Sequence, residues 1–261
     1  MIKFLTLFHL FLLSNLIWAQ QETDSIIITD RPDLTESSIT VPYKSIQLET
    51  GLLVFVDDAS NTSEFKTTLY QFPAILIRYG LFKNIELRVF NQFVKESVNN
   101  PLIPNKERST YGIDNLQLGT KINLVKENGI WPEIAILSHV VLPLGSANFK
   151  NAKTLANIVF SLSHTVSNRF SIGYNLGWTT DGVNQNGSGT YTFAMGYGVS
   201  KKVGCYLEMY GLLKNMESLT IGFDGGFTYL ISNNMQLDLS AGRGVSENNY
   251  FFSAGYSVLI R

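Results

Sequence analysis

The sequence predicts an all-β fold, a twelve-stranded antiparallel transmembrane β-barrel with a short N-terminal periplasmic segment. Three observations predict it. The chain opens on an export leader, large apolar residues alternate with small or polar ones along most of its length, and no mature stretch approaches the roughly 18 consecutive apolar residues of a spanning helix. Charged residues make up only 16% of the 261. A backbone in lipid must satisfy every N–H and C=O within the protein, so without helices the membrane reading has to be β.

The leader is Met1 to Ala19, with Lys3 in a short n-region, an apolar run from Phe4 to Leu13, and a polar break at Ser14 and Asn15. These are the parts of a secretory signal peptide, with cleavage expected after Ala19. The sole cysteine, Cys205, lies far from that junction, so neither a lipid-anchored amino terminus nor an internal disulfide is expected. Residues 20–42 are polar, carry Pro32 and Pro42, and show no sustained alternation. They are expected to form the periplasmic N-terminal segment, with residues 43–261 as the barrel.

Period-two patterning places twelve strands near 43–57, 64–80, 84–96, 111–126, 132–143, 153–166, 169–180, 189–200, 203–213, 218–230, 234–243 and 249–261. The clearest pair is the seventh and eighth. Phe170, Ile172, Tyr174, Leu176 and Trp178 alternate with Ser171, Gly173, Asn175, Gly177 and Thr179, and Tyr191 to Val199 repeats the pattern against Thr192, Ala194, Gly196 and Gly198. A soluble sandwich would place Lys and Glu opposite its apolar face. Small and polar residues there fit a lumen, with the aromatic face toward lipid. Brief connections alternate with longer polar ones, which puts the short turns and both barrel ends on the periplasmic side. Trp178 and Tyr191 then fall near the outer interface, Tyr79 and Tyr229 near the inner one. Ser97 to Arg108, with Pro101 and Pro104, is the loop best suited to fold inward, although an ordinary surface loop is the commoner outcome.

Several stretches carry a resemblance. Thr29-Asp30-Arg31-Pro32-Asp33-Leu34-Thr35-Glu36-Ser37, then Val41-Pro42 and Ile46-Gln47-Leu48-Glu49-Thr50-Gly51, resemble the opening of a family of Gram-negative outer-membrane proteins labelled "transporter" or "putative MetA-pathway of phenol degradation". Arg78-Tyr79-Gly80-Leu81, Leu142-Pro143-Leu144-Gly145, Gly173-Tyr174-Asn175-Leu176-Gly177 and Gln236-Leu237-Asp238-Leu239-Ser240 are similar to it as well. The resemblance spans the mature chain and implies an outer-membrane barrel, with a phenolic cargo as the label's suggestion.

By parity Glu49, Arg78, Glu86, Arg88, Lys121, Glu208, Asp224 and Asp238 point inward near the periplasmic end. They would form either a charged constriction or a structural packing of paired side chains. Gly173, Gly177, Gly196 and Gly198 face the same lumen and leave volume for a solute path. Asp30, Arg31, Asp33 and Glu36 could fold under the barrel mouth as a plug. Arg78 and Glu86 are expected directly opposite each other across a turn closing on Gly80 and Asn84, as a salt bridge.

Formal net charge is −1 with scattered Lys and Arg, so no nucleic-acid partner is expected. Catalytic motifs of the phosphate-loop, zinc-protease, paired-cysteine and nucleophile-elbow kinds are missing. Ser138-His139 and Ser163-His164 keep a lipid-facing hydrolase in view, with Ser138 and His164 both outward. The primary expectation is a monomeric channel, not an enzyme, working by passive diffusion without a cofactor or metal, its partners being lipid and small aromatic, hydrophobic or otherwise poorly charged solutes. A structural or adhesive barrel is the remaining alternative.

Overall fold

The computed structural model describes residues 26–58, 65–99, 107–180 and 187–261. Its strands are β1 (Ile46–Asp58), β2 (Lys66–Phe82), β3 (Ile85–Asn99), β4 (Glu107–Ile113), β5 (Leu116–Val125), β6 (Glu133–Leu142), β7 (Leu155–Thr165), β8 (Phe170–Thr179), β9 (Ser188–Gly198), β10 (Val203–Lys214), β11 (Ser218–Leu219), β12 (Gly222–Ser232), β13 (Met235–Gly244) and β14 (Asn249–Ile260). Each pairs antiparallel with its neighbours. Pairing of β1 with β14 and of β9 with β10 closes the sheet into a barrel, while β4 and β11 each pair on one side only.

Fourteen strands make a barrel of twelve. β4 and β5 pair with successive parts of β3 and are parted at Asp114 and Asn115, where Asp114 N–H still donates to the Gln92 carbonyl. β11 and β12 likewise both pair with β10, parted at Thr220 and Ile221. These breaks divide the expected strands at 111–126 and 218–230. β3 and β4 also climb beyond the bounds read from the sequence, to Asn99 and from Glu107. The tip of that loop, with Pro101 and Pro104, lies outside the described residues, as does the leader.

Burial is inverted relative to a soluble protein. Leu176, Phe227 and Leu239 are 60, 62 and 61% exposed, whereas Arg78, Glu86 and Lys121 are fully buried. Period-two alternation sends each set to one face of the wall. The exposed set forms the apolar surface that an outer-membrane barrel presents to lipid. Tyr79 and Tyr229 stand outward beside the short turns, and Trp178 stands outward at the opposite end. Irregular pairing between Gln71 and Ala74 accommodates Pro73, which has no N–H to give the ladder.

Residues 26–45 run inside this wall. Ile27 N–H donates to the Asn233 carbonyl at the β12–β13 turn, and Lys44 N–H donates to the Gly80 carbonyl beside the β2–β3 turn. Between these anchors the chain makes a loop up into the lumen and back. Ile27 and Val41, near its two feet, bury together with Leu259 against Leu230.

Candidate functional site

The site is the lumen around that loop. Arg78 is its hub. Its Nε and Nη2 reach Glu86 Oε1 and Oε2, each at 2.9 Å, and Nη1 reaches Glu49 Oε1 at 2.9 Å and Asp30 Oδ2 at 3.2 Å. The same guanidinium donates to the Ile28 and Ile39 carbonyls, one on each leg of the loop. Arg88 Nη1 meets Asp30 Oδ2 at 2.5 Å and Glu86 Oε1 at 2.9 Å, and its Nη2 meets Glu36 Oε2 at 3.0 Å. Lys121 Nζ contacts both Asp30 oxygens at 2.9 Å. Three wall cations thus share one carboxylate from the loop.

Across the lumen Arg31 Nη2 reaches Asp238 Oδ1 at 3.0 Å and donates to Ser253 Oγ at 2.7 Å. Its guanidinium lies against Gly51 and Gly255, which are register partners on β1 and β14. A Cβ on either would come within 2.6 Å and 2.3 Å of guanidinium atoms, respectively. The Leu34 N–H and the Thr35 hydroxyl both donate to Glu208, at 2.7 and 2.5 Å. Glu36 N–H donates to Asn175 Oδ1, while Asn175 Nδ2 and Ser161 Oγ donate to the Glu36 carbonyl. Ser38 pairs with Ser163, and Val41 N–H donates to Glu86 Oε2.

Charge on the loop follows its neighbours. Burial alone would raise the Asp30 carboxyl, but Arg78, Lys121 and Arg88 hold it well below the usual range. Glu36 is pushed up to about 7 by burial, with Asp30 adding to the rise and Arg88 and Lys121 opposing it. Asp33 is raised well above the ordinary value by burial and by the negative charge of Glu208.

Glu49, Arg78, Glu86, Arg88, Lys121, Glu208, Asp224 and Asp238 are all buried. All but Asp224 bond to residues of the loop. Parity sets Asn175 and Thr192 on the lumen face but gives them no partner, and it does not single out Ser161, Ser163 and Asn123, which also bond to the loop. It also misses the glycine seat of Arg31, for which Gly51 in a polar-facing row is the available signal.

One register expectation is corrected. Arg78 stands opposite Arg88, and Glu86 opposite Gly80, because the turn falls at Lys83 and Asn84 instead of at Phe82, and an irregularity between Gly80 and Phe82 keeps the inward parity. The bridge forms diagonally, since both side chains remain on the lumen face and a guanidinium can reach along the strand. The glycines divide. Gly196 and Gly198 border a cavity of about 270 Å³ beside Arg31, Pro32 and Asp33, and Gly173 lies under Thr35 Cγ2, 3.1 Å from where its Cβ would stand. Gly177 opens no volume, because a Cβ there would meet Thr190 Oγ1 at 2.3 Å. It allows close packing of neighbouring side chains.

On the long-loop side of Leu34 and Glu36 lies a cavity of about 500 Å³, walled by Leu53, Phe55, Leu137, Val159, Tyr210 and Phe251. The Ser–His pairs do not converge. His139 faces the lumen and accepts from Arg88 Nε, whereas His164 faces outward and contacts Tyr174. Ser138 pairs with Ile158, six residues from His164 along β7, a separation of ~20 Å.

A family model described as "Putative MetA-pathway of phenol degradation" matches residues 29–260. Among solved structures, the chain resembles the COG4313 outer membrane channel from Pseudomonas putida F1 at a TM-score of 0.71 and 13% identity, covering 89% of this chain and 100% of that one. NanC porin gives a TM-score of 0.51 at 8% identity, and KdgM porin 0.50 at 11%, each covering 80% of this chain and 98% of the other. No curated protein matches by sequence. The shared property is the fold, an outer-membrane barrel.

Proposed function

The chain belongs to the family described as "Putative MetA-pathway of phenol degradation", and from that membership we propose that it is an outer-membrane channel for passive uptake of small, poorly charged solutes. The observation that carries this reading is the cavity of about 500 Å³ whose floor is the N-terminal loop, with an apolar wall from Leu53 to Phe251 and polar groups such as His139, Asn157 and Asn175 at its border. A solute with an aromatic or aliphatic body would collect there by shedding its hydration.

On this reading residues 26–45 are a plug, and the plug rather than the wall is the constriction. The wall charges are spent on holding it. Buried ion pairs give back in Coulomb energy roughly what desolvation costs, so exchanging them for water is close to balanced. A plug held this way can move aside without unfolding the barrel. Gly196, Gly198 and the neighbouring cavity would line the periplasmic exit. The channel works as a monomer in lipid, and a lipid-facing hydrolase is disfavoured by the separation of Ser138 from His164.

Single-channel recording of the mature protein, paired with a lipid-turnover assay, tests the reading. Brief openings of small conductance without lipid hydrolysis are expected. Phospholipid cleavage that disappears in Ser138→Ala would contradict it.

A further inference from the structure

Opposite the basic side of the lumen is a pocket with the reverse chemistry. Glu208 and Asp224 are register partners on β10 and β12. In the adjacent row Tyr206 stands opposite Gly226, and Gly226 opposite Ser240 on β13. Gly226 has no side chain to separate them. A Cβ at that position would lie 2.7 Å from Tyr206 Cε1 and 3.0 Å from Ser240 Cβ, so the tyrosine lies across the glycine toward the serine. Gly242, register partner of Asp224, leaves a matching gap, where a Cβ would lie 2.6 Å from Asp224 Cβ.

These oxygens are buried and unsatisfied. Among the described residues, both carboxylate oxygens of Asp224, the Tyr206 hydroxyl and the Ser240 hydroxyl have no hydrogen-bond partner, and the three residues are 5, 9 and 7% exposed. A buried carboxylate without a partner is costly, and four such atoms in one corner are an unfilled oxygen shell. The nearest loop cation does not fill it, because Arg31 is engaged by Asp238 and Ser253.

We propose that Glu208 and Asp224, with the Tyr206 and Ser240 hydroxyls, bind a partly hydrated hard divalent cation of the calcium class. Oxygen-only donors select hard cations, and calcium tolerates irregular shells completed by water. The described residues hold no set of three His, Cys, Asp or Glu placed for a metal ion, so the shell consists of two carboxylates, two hydroxyls and water. Because Glu208 also holds Leu34 and Thr35, the ion would tether the loop near its tip.

Terbium luminescence excited through tyrosine tests this on the mature, folded protein in phosphate-free detergent. A saturable component displaced by calcium is expected, with Tyr206 as the adjacent sensitiser. Asp224→Asn and Glu208→Gln should each weaken it on the order of tenfold or more, and Ser240→Ala should weaken it while keeping the charge. Glu127→Gln, on an exposed turn, should leave it unchanged. Heat-modifiable migration in gels confirms folding of each variant; if either carboxylate variant fails to fold, Ser240→Ala decides. Absence of a calcium-displaceable component, or its survival in the folded carboxylate variants, overturns the proposal. The readout is independent of solute flux, so failure of the channel reading would leave it standing.

Discussion

Arg78 holds three carboxylates, Glu86, Glu49 and Asp30, and none of them has bulk water to fall back on. Arg78→Ala is therefore expected to lower barrel stability by ~3–5 kcal/mol where the lumen stays dry and less where water enters, read as the temperature of heat-modified migration. Adding Glu86→Ala should recover only part of the loss, because Glu49 and Asp30 remain. Full recovery, or strict additivity of the two changes, would contradict the shared hub. Glu36 gives a pH response with a definite sign. Its carboxyl, at about 7 in the docked loop against an ordinary 4.5, binds its proton more tightly docked than free. Its contribution to docking is thus complete below about 4.5 and lost as pH rises through about 7. Asp30, depressed by Arg78, Lys121 and Arg88, keeps its contribution until pH falls well below its ordinary range. Open probability should rise between about pH 4.5 and 7, and Glu36→Gln should remove the rise. A channel that opens on mild acidification would contradict it. Inward parity made these charges legible in the sequence. Their partners were less so, because alternation does not say whether the turn falls at Phe82 or at Lys83 and Asn84.

The loop of residues 26–45 and the glycine seat beneath it belong to the next scale. Alternation locates strands, and residues 26–45 have none. Only Pro32, Pro42 and the charges marked the segment as able to dock, and its course inside the wall depends on contacts with strands up to 222 residues away, as between Arg31 and Ser253. Gly51 and Gly255 put the docking under direct test. Gly255→Val places carbon where the Arg31 guanidinium lies, while the exposed outer face of β14 is untouched. The barrel should fold, losing about 1–3 kcal/mol to overpacking at most, while conductance rises and the loop becomes cleavable by protease from the periplasmic side. Unchanged conductance and protection would show that Arg31 does not hold the loop. On the exit side, Gly196→Trp should fill the cavity beside Thr35 and Asp33 and reduce flux, whereas Gly177→Trp should act on packing with Thr190 and disturb folding first.

For the whole molecule, an apolar exterior, a charged interior and a loop threaded between them follow from one alternation and one closure. The twelve staves were legible because lipid imposes period two on every one of them, whereas the loop was legible only as a segment able to dock, because its course is written in the lumen side chains. The account rests on passive passage limited by that loop. Liposome swelling with the mature protein and with a variant lacking residues 26–41, using a small neutral aromatic alcohol and an anion of similar size, measures this most directly. The account expects slow uptake of the neutral solute through the intact protein, faster uptake through the shortened one, and discrimination against the anion in the intact protein. A folded shortened variant that passes neither solute would contradict it.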